Sequence, residues 1–162
     1  MIYILLSLII FIFYTISVII INNGIPMHIS QSYFILKHKY KFTLFMFLLM
    51  GLTIVPLINI TPSNYQFLSF FTCASVGFIG ASPNFIDDLE GKVHKYSAFI
   101  AILSSQILIA ILNPLILISW VLLAIMYFYI KKRNKKNNVD KWLFWVELLS
   151  FINIYILVFL RL

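Results

Sequence analysis

Six apolar runs, at approximately 2–21, 41–59, 65–83, 96–113, 115–130 and 142–160, alternate with basic segments in a fixed rhythm: every second gap between runs is positively charged. Eleven of the twelve Lys and Arg residues lie in those gaps, as Lys37/Lys39/Lys41, Lys92/Lys95 and Lys131/Lys132/Arg133/Lys135/Lys136/Lys141. Each run is about as long as a helix needs to cross the roughly 30 Å hydrocarbon core of a bilayer. Basic loops are retained on the cytoplasmic side, so three of them separated by pairs of runs predict an even number of crossings. The expected fold is therefore all-α: one integral membrane domain over 1–162, a polytopic bundle of about six transmembrane helices. Loops 22–40, 84–95 and 131–141 are expected in the cytoplasm and both termini outside.

With 62% of residues hydrophobic and only 10% charged, a water-soluble domain of this length is excluded. The net charge of +7 sits in short loops between apolar runs, which points to an anionic cytoplasmic leaflet and not to nucleic acid. The first run has no basic stretch before it and no small-residue cleavage site after it, which predicts a retained anchor. Cys73 is the single cysteine, so no intrachain disulfide can form.

Proline and polar residues mark the outer turns. Around Thr61-Pro62-Ser63, Thr61 or Ser63 is a candidate helix cap, and Ser63 with Gln66 has capping-box spacing. Asn113-Pro114 interrupts an apolar stretch from 98 to 130 that is too long for one ordinary span, and a hairpin of two helices is expected there. A single kinked helix, giving five spans, is the alternative. In segment 22–40, Ile25, Ile29, Tyr33 and Leu36 share a helical face opposite His28, Gln31 and Ser32, as in a helix lying in the headgroup layer.

Ser69, Cys73, Gly77 and Ala81 form a small-residue stripe on the third run, and Ser97, Ala101 and Ser105 form another on the fourth. Stripes of this kind let helix backbones approach closely, so these two helices are expected to pack through them. Between the two runs, Asp87, Asp88, Glu90 and His94 form the densest polar group in the chain. Carboxylates and an imidazole at such spacing suit acid–base chemistry or a divalent cation, although the spacing matches no metal motif, and solvated helix-capping acids are the simpler reading. His28, His38 and His94 share one side of the expected topology, which permits a three-histidine site.

Glu147 lies about 8 Å along the last run, where an acid is costly unless paired or protonated. Reaching back to the headgroups or to a lysine is its simplest expected use, and with His94 and Gln106 it forms a candidate ion or proton pathway. Gln106 and Asn153 are also expected to hydrogen-bond between helices. Lys131, Lys132, Arg133, Lys135 and Lys136 are candidate headgroup contacts.

The motifs Ile29-Ser30-Gln31-Ser32-Tyr33, Gln66-Phe67-Leu68-Ser69-Phe70, Gly80-Ala81-Ser82-Pro83 and Val93-His94-Lys95-Tyr96-Ser97-Ala98 resemble those of small polytopic bacterial membrane proteins without an assigned activity. The resemblance covers the middle half of the chain and implies a bacterial cytoplasmic membrane, with no cofactor or catalytic residue to carry over. Three functions remain from the residues. The first is a non-enzymatic bundle acting through contacts with a membrane partner or copies of itself. The second is a small-solute or ion transporter, and the third is an enzyme acting on lipid headgroups through the Asp87–His94 group.

Overall fold

A computed structural model describes residues 1–133 and 141–162 and is helical at every one of the six apolar runs. The helices are α1 (Ile2–Ile21), the single turn α2 (Ser32–Ile35), α3 (Tyr40–Ile60), α4 (Gln66–Ala81), α5 (Asp88–Leu112), α6 (Ile118–Arg133) and α7 (Trp142–Arg161). Four of them, α1, α3, α5 and α7, are long and apolar enough to cross a membrane. The 16-residue α4 is extended by a 3-10 turn over Ser63–Tyr65, and α6 is preceded by one over Pro114–Leu117. The chain is a multi-pass membrane protein by length and apolarity.

Side-chain pairs fix the helix directions. Ser7 meets both Thr53 and Tyr155, while Phe11 meets Phe45 and Phe151, so α1 runs antiparallel to α3 and α7. Thr72 bonds Ser104 near one end of the α4–α5 pair and His94 meets Ser82 at the other, which makes this pair antiparallel too. The Asn113-Pro114 break is a true hairpin. Backbone angles at Asn113 (φ −154°, ψ 83°) end α5, and α6 folds back so that Trp120 bonds Gln106 while Tyr127 stacks near Trp142. A single kinked helix is therefore ruled out. One end of the bundle gathers the connector 22–39, the loop 82–87 and the start of α7, and Lys37, Lys92, Lys131 and Lys141 lie toward that end.

The small-residue stripe of α4 does not face α5 as expected. A Cβ built on Gly77 would lie 2.6 Å from Met50 Sδ, and one on Gly80 would lie 2.7 Å from Met46 Cβ, so this face is pressed on α3. Ser69 belongs to the same side, pairing with Thr61 at 2.9 Å, whereas Ala81 is exposed. The α4–α5 interface is the most extensive in the bundle, but α4 contributes Thr72 to it and α5 answers with buried Ser97, Ala101, Ser104 and Ser105. A helix with small residues on two sides gives no sequence cue to which side takes which neighbour.

Two local expectations also change. The capping box at Ser63 does not form: Thr61 donates to the Leu57 carbonyl, and the Gln66 amide reaches back to the carbonyls of Ile58 and Thr61, tying off α3 instead of starting α4. Segment 22–39 is not a surface helix. Ser30, Ser32 and Ile29 are buried, Tyr14 bonds Ser32 at 2.7 Å, and the segment is folded in under α1, α3 and α7.

Candidate functional site

The first four N–H groups of any α-helix lack partners within it. Here the two ends of the chain solve that problem for each other. Phe144, in the first turn of α7, donates its N–H to the Met27 carbonyl at 2.9 Å. In return Glu147 Oε2 accepts the N–H of Ile29 at 2.6 Å, and the N–H of Ser30 also bears on the carboxyl group. Glu147 thus caps the short helical turn that begins at Ile29, and the expectation that it reaches for headgroups or a lysine is replaced by this backbone grip. No charged side chain of the described residues acts on it.

Glu147 also lines a cavity of about 40 Å³ between α3, α4, α5 and α7. Its wall is mostly apolar, formed by residues such as Val76, Ala101, Phe151 and Ile154, with Thr72, Ser105 and Ser150 adding hydroxyls. Ser150 donates to the Val146 carbonyl at 2.7 Å and Ser105 to the Ile102 carbonyl at 2.9 Å. A smaller void of about 10 Å³ shares Thr72, Val76, Phe151 and Ile154 with the first and reaches Thr53 and Tyr155. There Ser7 joins Thr53 and Tyr155, each at 3.0 Å. Polar groups therefore follow one another from Glu147 toward the opposite end of α7. Ser150, three residues from Glu147, was legible as sharing its face; Ser7, Thr53, Thr72 and Tyr155 carry no sequence signal beyond being polar in apolar runs.

None of the comparisons, with protein-family models, with curated proteins or with solved structures, yields a match. The site must speak for itself.

Of the other candidate residues Ala101 and Ser105 line this cavity, and the acids and histidines of the 84–95 loop are placed apart from it. Asp87 caps α5 through the Leu89 N–H at 3.1 Å, Glu90 accepts the Asn84 N–H at 3.0 Å, and Asp88 is exposed in the first turn. Gly91 allows that loop to close, since a Cβ there would lie 2.6 Å from the Phe85 carbonyl oxygen. His94 is buried and donates from Nδ1 to the Ser82 carbonyl at 2.9 Å. Its ring and that of His28 both pack on Phe85, with centroids 5.3 and 5.0 Å away. Burial holds the His28 imidazole below its usual range, and the nearby His94 adds to the effect. His38 is exposed beside Tyr40, so the three histidines do not converge, and no group of three or more metal-ligating side chains occurs among the described residues.

Gln106 stands in a different network. Its Oε1 accepts from Trp120 at 2.8 Å and from Asn153 at 3.2 Å, and Ser119 donates to Asn153 at 3.0 Å, which joins α5, α6 and α7. Lys131 lies over the Tyr127 ring and Lys132 is exposed. Lys135 and Lys136 fall outside the described residues, as does the side chain of Arg133.

Proposed function

We propose that this protein is a carrier of a small solute or ion, set in a bacterial cytoplasmic membrane as six spans with both termini outside. The observation that carries the reading is the acid-lined cavity inside the helix bundle: Glu147 faces a space of about 40 Å³ with no counter-charge among the described residues. An ionisable group held among apolar helices is expensive, and such groups mark substrate and ion pathways far more often than they stabilise folds. The chain of hydroxyls leading on to Thr53, Tyr155 and Ser7 supplies polar stepping points beyond the cavity.

Competing readings lose their motives in the same geometry. Contact with a membrane partner or with copies of itself rests on the absence of a catalytic constellation and of soluble domains and on the small face of α4, and of that face Gly77 is packed inside the chain against Met50. Headgroup chemistry rests on Asp87, Asp88, Glu90 and His94; Asp87, Glu90 and His94 are engaged in holding their own loop, and Asp88 is exposed in the first turn of α5. The alternating direction of successive apolar helices along the chain and the position of Lys37, Lys92, Lys131 and Lys141 toward one end support the six-span orientation, and an anionic inner leaflet is the partner those basic residues suit.

Proteoliposomes carrying a pH-sensitive dye test the carrier reading. At least one gradient among protons, sodium, potassium, ammonium and ethylammonium should discharge through wild-type protein, and at least tenfold more slowly through Glu147→Gln. Discharge no faster than in protein-free vesicles under every gradient would remove the carrier reading. Orientation is read by impermeant labelling of single cysteines at Ser63, Lys92, Leu115 and Asn137 in a Cys73→Ala background. The second and fourth should react from the cytoplasmic side, the others from outside.

A further inference from the structure

Within that carrier reading, the cavity's own chemistry selects its occupant. We propose that it binds a short primary alkylammonium ion, with the ammonium group on the Glu147 carboxylate and the carbon chain against Val76, Ala101 and Ile154.

A carboxylate offers about four lone-pair sites, and two backbone N–H groups leave it capacity to accept more. Two of the four hydroxyl side chains that line the cavity are acceptors as well. Ser150 and Ser105 have each given their one proton to a carbonyl of their own helix, at 2.7 and 2.9 Å, so toward the cavity their oxygens can only accept. Gln106 already donates to Ser105 at 3.1 Å, which leaves Ser150 as the freer of the two. The missing component is therefore a donor, and a positively charged one, because a carboxylate among apolar side chains has its charge to compensate. A primary ammonium brings three N–H donors and a single charge.

The apolar wall sets the other half of the ligand. A dehydrated metal cation needs a shell of several oxygens, which this lining does not provide. A carbon chain needs only contact with Val76, Ala101, Phe151 and Ile154. Size limits the chain: about 40 Å³ on the scale where one water needs roughly 10–15 Å³ is space for about three non-hydrogen atoms. Ethylammonium fits that number, and propylammonium fits where the cavity opens.

Saturation-transfer NMR on the full chain in nanodiscs, with empty discs subtracted, tests this with the series from methylammonium to butylammonium. Binding should be tightest at two or three carbons and weaken at least tenfold in Glu147→Gln. Propanol and tetramethylammonium, which lack the charge or the N–H donors, should not compete. Ala98→Leu, which adds bulk to the cavity wall without touching the carboxyl group, should weaken propylammonium more than methylammonium. That variant and the chain-length series decide the matter even if Glu147→Gln does not fold. Equal affinity in wild type and folded Glu147→Gln, competition by tetramethylammonium, or no optimum in chain length would each overturn the assignment. Alkylammonium binding without flux in proteoliposomes would keep the site and remove the carrier reading, while flux of another cation without such binding would do the reverse.

Discussion

The seam between α3 and α4 and the flank between α5 and α7 are built from opposite materials. Along the seam, Gly77 and Gly80 bring the backbone of α4 down onto Met50 and Met46, and at these two positions no space is left for a side chain. Along the flank, Glu147, Ser150 and Phe151 stand across from Ala98, Ala101 and Ser105, and a cavity remains. Lipid offers no hydrophobic driving force between helices, so close packing is what binds them together. A bundle can afford a gap on one side only if another side is tightly closed. The seam supplies cohesion, and the flank keeps a cavity with an acid on its wall.

Overpacking separates the two regions most sharply. Gly80→Leu should cost about 3 kcal/mol in reversible unfolding from detergent, because the atom it strikes is the Cβ of Met46, fixed to the backbone. Ala98→Leu on the flank should cost less than about 1 kcal/mol, since it grows into space. Equal losses would erase the distinction between seam and flank. Gly77→Ala should fall between them, because Met50 Sδ is the far part of a flexible side chain that can swing aside.

Removing the acid tests what the flank contributes to order. Glu147→Ala leaves the N–H groups of Ile29 and Ser30 without their acceptor, at a cost of roughly 2 kcal/mol, and hydrogen exchange over 25–36 should quicken. Glu147→Gln keeps an acceptor oxygen and should quicken exchange less. Unchanged exchange in Glu147→Ala would mean that the connector is held by other contacts. At the α4–α5 interface, Thr72→Val removes the 2.9 Å bond to Ser104 and should cost only about 0.6 kcal/mol, the usual size of such bonds between membrane helices.

Acid gives the smallest effect. With its folded pKa below the usual value near 6.5, His28 binds its proton more readily in the unfolded chain, so stability falls as pH drops through that value and the loss is complete below the folded pKa. Exchange over 25–36 should be faster at pH 5 than at pH 7.5. His28→Phe should remove most of that difference. A pH response of full size in the variant would assign it to another group.

Six helices and the Asn113-Pro114 hairpin were legible because hydropathy and proline act locally, on the residues that carry them. Gln106 and Asn153 were also legible as interhelical bonds, since a deep amide in a membrane helix has few other uses. The rotation of α4 was not. Ser69, Cys73 and Gly77 are small whichever neighbour they meet, and only the bulk of Met46 and Met50 on another helix decides it. Glu147 was legible as an anomaly but not in its partners, because those are backbone N–H groups 118 and 117 positions away, which any residue type would offer. The cavity was invisible for the same reason: it is the volume left between four helices, and no single residue encodes it.

The reciprocal bonds between Met27 and Phe144 and between Ile29 and Glu147 also impose an order on biogenesis. When α1 and α3 have left the ribosome, the donors at Ile29 and Ser30 must be satisfied by water or headgroups, because their acceptor belongs to α7, more than a hundred residues further on. Arrival of α7 displaces that water and docks the connector in one step. The end of the bundle that holds the connector therefore closes only once α7 is in place, and a chain stopped before Trp142 would leave the donors at Ile29 and Ser30 without their acceptor.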